Sequence, residues 1–170
     1  MTSFADLVPG AVLKGIWYEL LSWELDPTPS ASVDAVAMAV ILDFAGATPV
    51  RFHWDLRPPV ERLATGPRES GGPSPDVRCV DVSARWGRLI GLALDGYTLS
   101  FQDTDGGLAP WACRLHFREG DAHLVVALGE KLADEVTYIP DSLIVTDSRS
   151  VAVRYRPPAA RSSAWGSVDH

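Results

Sequence analysis

Four histidines, two cysteines and a scatter of carboxylates are the groups through which this 170-residue chain could do chemistry. His53 and Asp55 stand two apart, a spacing that puts both on one face of a strand, where they could share a cation or a proton. His116 and His123 flank a turn and could approach each other. Glu19 lies between Trp17 and Leu21 on one strand parity, and Asp95 between Ala93 and Tyr97. A carboxylate among apolar neighbours is either paired and structural or tuned for acid–base work. Glu19, Asp95 and His53 are therefore the candidate catalytic residues. Arg51, Arg114 and Arg118 stand beside the histidines and oppose a cation, and no His-x-His motif is present, so neither a metal nor a cofactor is expected. Nor does the chain carry a phosphate loop, a dinucleotide fingerprint or a nucleophile elbow. Cys79 and Cys113 lie in apolar runs and read as buried free thiols. Trp86 and Trp111 fall outside the clear alternation and are the candidates for a ligand rim or partner surface.

These residues must be positioned by strands. Residues 50–56 alternate most cleanly: Val50, Phe52, Trp54 and Leu56 form the inward face, and Arg51, His53 and Asp55 the solvent face. In the run 12–25, Trp17, Leu21, Trp23 and Leu25 share the parity expected to face the core. Residues 35–44 read as one strand that is apolar on both faces, with alanines on one of them. Further strands are expected at 77–83, 89–95, 98–103, 111–118, 123–130, 142–147 and 151–156. Residues 57–76, with Pro58-Pro59, Gly66-Pro67 and Gly71-Gly72-Pro73, read as a long Pro/Gly-rich loop, and 158–170 as a disordered tail.

One unit reads as if used twice. Leu21-Ser22-Trp23-Glu24 resembles Leu99-Ser100-Phe101-Gln102, Leu42-Asp43-Phe44 resembles Leu115-His116-Phe117, and Gly46 is matched by Gly120. The expectation is an all-β fold, an antiparallel sandwich or barrel of about eight or more strands, built from two related three-strand meanders. The meanders would cover about 12–56 and 89–130 of a single domain spanning 5–157.

The formal net charge of −7 withholds the basic footprint of a nucleic-acid binder and gains nothing at an anionic membrane. Residues 1–10 carry neither a basic nor an apolar leader region, and no run is long enough to span a bilayer, so a soluble cytoplasmic protein is expected. Lys14 and Lys131 are the only lysines among fifteen basic residues, a bias that suggests a GC-rich bacterial source. With no catalytic motif, the expected function is that of a non-catalytic binding or partner protein, immunity-type or accessory. Its partner would be another protein or a small apolar ligand. The alternative is a small β-barrel enzyme, of cyclase or isomerase type, acting on an apolar metabolite in an internal pocket.

Overall fold

Short apolar runs separated by turn residues fold into β-strands that share the work of one core. The computed structural model describes residues 4–28, 31–66, 74–133 and 135–166. Ten strands form two five-stranded antiparallel sheets. The first contains β1 (Leu13–Leu21), β3 (Ala39–Phe44), β4 (Val50–Asp55), β5 (Arg62–Thr65) and β6 (Val77–Asp81), in the order β5-β4-β3-β1-β6. The second contains β2 (Val33–Val36), β7 (Leu94–Thr104), β8 (Gly107–Phe117), β9 (His123–Leu128) and β12 (Leu143–Thr146), in the order β2-β12-β9-β8-β7. A hairpin of β10 (Glu130–Leu132) and β11 (Glu135–Thr137) stands apart from both sheets, and one short helix, α1 (Arg149–Arg154), follows β12. The sheets pack face to face as a sandwich.

Three sequence expectations change here. The run 35–44 is not one strand: β2 joins the second sheet and β3 the first, and the chain crosses between them at Ala37 and Met38. The Ala37 carbonyl accepts the Trp54 indole N–H at 2.7 Å, and the Met38 N–H donates to Glu19 O at 3.2 Å, so the crossing keeps its polar groups paired. The inward parity of β1 is Ile16, Tyr18 and Leu20, all at most 1% exposed, while Trp17 is only half-buried and Trp23 and Leu25 lie beyond the strand in solvent. Residues 149–154 are helical rather than extended, with Ser148 capping the helix through a bond from the Val151 N–H.

The loop expected over 57–76 contains β5, which pairs with β4 through Trp54↔Leu63 and Asp55↔Arg62. The segment 67–73 lies outside the described residues. The expected tail is packed as far as residue 166: Trp165 and Ala164 are buried, and the Arg161 and Asp103 amides bond across to Phe101 and Ala159 on the free edge of β7. Residues 167–170 lie outside the description. This covering explains why β9 and β12 are buried on both faces. Their inner side meets the first sheet, and their outer side lies under α1 and the segment 155–166.

The two-meander duplication is not confirmed. The first segment supplies four strands divided between two sheets, and the second supplies three in one. Leu21 ends β1, whereas Leu99 lies mid-strand in β7. What the segments share is local. Leu13↔Phe44 followed by Gly15↔Asp43 leaves Lys14 as a bulge, and Leu94↔Phe117 followed by Gly96↔His116 leaves Asp95 as another. The two strand starts bond to each other, Leu13 N–H to Leu92 O and Leu94 N–H to Ala11 O, and this ties the sheets together at one corner.

One polar network runs through the apolar interior. The Tyr18 hydroxyl donates to Asp34 Oδ2 at 2.7 Å, from one sheet to the other, and the Trp86 indole N–H donates to the Tyr18 oxygen at 2.8 Å. Arg85 pairs with Asp34 at 3.1 Å, bonds the Ala31 carbonyl, and lies over the Trp86 ring with its guanidinium carbon 4.6 Å from the centroid. Burial first, and the Asp34 charge second, raise the Tyr18 pKa well above its ordinary value. Arg85→Ala strands a carboxylate whose side chain is 1% exposed and should cost about 3–5 kcal/mol. Tyr18→Phe removes a hydroxyl and should cost about 1–3 kcal/mol. Urea melts of both variants check this, and Arg85→Ala proving the milder of the two would contradict it.

Candidate functional site

The sequence-derived candidates are not brought together. Glu19 is 2% exposed and its Oε2 accepts from Arg51 Nη2 at 2.9 Å and Nε at 3.2 Å. The small Ala39 stands between Glu19 and His53 in the ladder and leaves room for this pair. Glu19 is therefore a carboxylate already matched by a cation. His53 is half-buried on the same face, with Nδ1 donating to the Trp54 carbonyl at 3.1 Å. Asp55, placed on the solvent face from sequence, is 7% exposed because Arg57 and Arg62 close over it at 2.7 and 2.9 Å. The Arg57 hydrogen bonds, with Arg62 behind them, hold its pKa well below the usual carboxylate range. Its oxygens are thus taken, and it does not act with His53 as a cation site. Trp54, expected in the core, is half-buried. Asp95 projects from its bulge, exposed, 3.8 Å from Arg118.

Trp86 and Trp111 are corrections. Both were expected at a surface, and they are 1% and 0% exposed. Trp86 lies in the turns after β6, where a periodicity of two has no meaning, and it enters the interior on its bond to Tyr18. Trp111 falls at a β8 irregularity, since Ser100 pairs with Ala112 and Phe101 with Pro110, and it stacks edge-on against Tyr155 at 5.2 Å. The large apolar side chains that reach solvent are others, led by Leu25 and Trp23. Cys79 is exposed on the edge strand β6, while Cys113 is buried and burial pushes its thiol pKa far up.

His116 and His123 are ladder partners on β8 and β9. His116 Nε2 lies 2.9 Å from Thr98 Oγ1, and the His123 ring meets Trp165 edge-on at 4.4 Å. Arg114 and Arg149 lie over the same indole, 4.0 and 5.1 Å from a ring centroid. This constellation fastens residues 155–166 to the second sheet. Among the described residues no group of three His, Cys, Asp or Glu could hold a metal ion.

The arrangement best suited to a ligand is one the sequence did not single out. A cleft of about 740 Å³ opens between the β10–β11 hairpin, the segment entering β2, and the stretch from α1 to Pro158. That volume falls within the usual range for small-molecule sites. Lys131, Arg154 and Arg156 line it, as do Tyr138, Tyr155 and Glu135. Among the described residues none of the three cations has a carboxylate partner. Among the described residues, Arg154 and Arg156 each spend only Nε on a nearby carbonyl, Ser150 O at 3.0 Å and Ala160 O at 3.1 Å. Tyr138 is fixed by Gln102 at 2.9 Å and Glu61 at 3.0 Å, and burial, followed by Glu61, has its pKa pushed up to about 12. Tyr155 is anchored by donating to Leu128 O at 2.6 Å. The phenols are therefore rigid neutral walls, and the two exposed arginines of the lining keep donors to spare. The only signal in sequence was a run of arginines after 148 without an intervening acid.

No described helix is long and apolar enough to cross a membrane. No protein-family model, no curated protein and no solved structure matches this chain.

His116 carries a pH dependence. Burial first, then Arg114, lowers the His116 pKa below its ordinary value of 6.5. The folded state then binds this proton less tightly than the unfolded state. The stability it protects is present above about 6.5 and is lost as pH falls through that value towards the folded pKa. The urea midpoint should drop on acidification from about pH 7.5 to about 5.5, and drop less in His116→Gln. Parallel pH series in which the two proteins lose stability equally would refute this assignment.

Proposed function

We propose that this chain is a non-catalytic binding protein whose ligand carries negative charge and sits in the cleft lined by Lys131, Arg154 and Arg156. The observation that carries the reading is the contrast of charge. A chain of net charge −7 holds three cations at one opening without carboxylate partners among the described residues. Elsewhere most arginines are spent on acids, as in Arg51–Glu19, Arg62–Asp55 and Arg85–Asp34. Unpaired cations with low-dielectric walls behind them focus the field and concentrate anions. Arginine also offers a planar fork that fits a carboxylate or phosphate.

The enzyme alternative is less well supported. Its apolar metabolite would need an apolar internal pocket, whereas Tyr18, Phe52, Trp86 and Leu115 fill the space between the sheets and the cleft presents charge. The candidate acid–base groups Glu19 and Asp95 also lie away from the cleft lining. The acidic balance and the absence of a basic nucleic-acid footprint fit a cytoplasmic partner protein, and the scarcity of lysine fits a bacterial source.

The test is ligand-dependent stability. Citrate, compared with acetate at equal ionic strength, should stabilise the fold saturably, by about 2.7 kcal/mol at a hundredfold excess over Kd, and raise the melting temperature with it. The double variant Arg154→Ala/Arg156→Ala should melt as the parent does without citrate and lose the citrate effect. An identical response of parent and variant, or one that never saturates, would remove the cleft as an anion site.

A further inference from the structure

The cleft has a property that charge does not explain. Four consecutive residues, Glu135, Val136, Thr137 and Tyr138, line it. Side chains of a strand alternate between two faces, so successive residues reach one cleft when the strand turns its edge to it. β11 has such an edge, since its one ladder is with β10, through Glu130↔Thr137, Lys131↔Val136 and Leu132↔Glu135. Antiparallel pairing leaves every second residue with its N–H and C=O pointing away from the partner strand. Among the described residues, no backbone hydrogen bond outside that ladder engages 135–137. The cleft thus combines a free strand edge with cations on Lys131, Arg154 and Arg156.

Building on the anion-binding reading of this cleft, we propose that its occupant is an acidic segment of a partner protein, bound in extended form as an added strand along β11. An added strand bonds through its main chain, and alternate side chains give selectivity. β11 is three residues long, about 10 Å of edge, enough to pair with about three residues of the guest. Glu135 lies in the lining at the start of β11 and repels a carboxylate there. The acidic side chains of the guest therefore belong beside Arg154 and Arg156. A short edge ending in a charge also resists indiscriminate pairing, which suits an edge reserved for one partner. A small anion needs the cations alone, whereas a strand needs the cations and the edge together.

The experiment separates these two requirements. The probe is an acetylated, amidated pentapeptide of alternating glutamate and threonine, titrated calorimetrically into the full chain. The control is the same peptide with alternate backbone nitrogens methylated, which keeps every charge and removes the strand-pairing donors. The unmodified peptide should bind at least ~10-fold more tightly than the methylated one, the worth of one net hydrogen bond. It should shift the amide resonances of Val136 and Thr137, and Arg154→Ala/Arg156→Ala should weaken it by ~10-fold or more. Equal affinity of the two peptides overturns strand addition and leaves the anion site standing. Peptide binding that ignores the arginine variant overturns the proposal as well. Citrate binding without peptide binding has the same consequence, and failure of both citrate and peptide removes the anion reading itself.

Discussion

A buried carboxylate that must be neutralised from several sides at once governs this structure. Asp34 lies on β2 in one sheet. Its partners are Tyr18 from the other sheet and Arg85 from the turns after β6. An ionised group at this depth is tolerated only when paired and hydrogen-bonded. The requirement holds β2 of the second sheet opposite Tyr18 of the first, and it draws Trp86 inside as a donor to Tyr18. It also holds the chain just before β2, because Arg85 bonds the Ala31 carbonyl. Residues 31–33 then form one wall of the cleft. The interior charge network and the candidate binding site therefore share a segment of backbone.

The opposite wall depends on what lies over the second sheet. β9 and β12 are apolar on both faces, and the outer face is worth burying only if something covers it. α1 and residues 155–166 do so, fastened by Trp165 among Arg114, Arg149 and His123, by Ser100 to the Ser163 carbonyl, and by backbone bonds to β7. The route of this covering segment sets Arg154, Arg156 and Tyr155 opposite the β10–β11 hairpin. The cleft is thus a by-product of closing the hydrophobic layer. Among the described residues its three cations have no carboxylate partner, although Glu135 belongs to the same lining.

Much of the sandwich was legible in the chain. Alternation marked β4, and turn residues marked the ends of β3, β8 and β9 with Gly46 and Gly120, both at positive φ. Glu19 was open between a paired carboxylate and one tuned for acid–base work, and the partner that decides for pairing, Arg51, lies two strands away. The candidate site was not legible. Its walls come from residues 31–33, 131–138 and 151–158, which no periodicity connects. One of them, 151–158, covers an expected strand and only the first residue of the expected tail.

What the sequence by itself determined is the inventory: strand-forming runs, turns, an acidic net charge and no catalytic motif. Alternation fixes which residues share a face but not which face is buried, and so β1 was read with the wrong side inward. Only the tertiary structure decided that. A hydroxyl on Tyr18 and a carboxylate on Glu19 each had to find a partner, and the partners, Asp34 and Arg51, lie on different strands far along the chain. The same holds for Trp86, Trp111 and the three cleft cations. Burial, exposure and pairing are properties of long-range neighbours, and the spacing of residues along a strand carries no information about them.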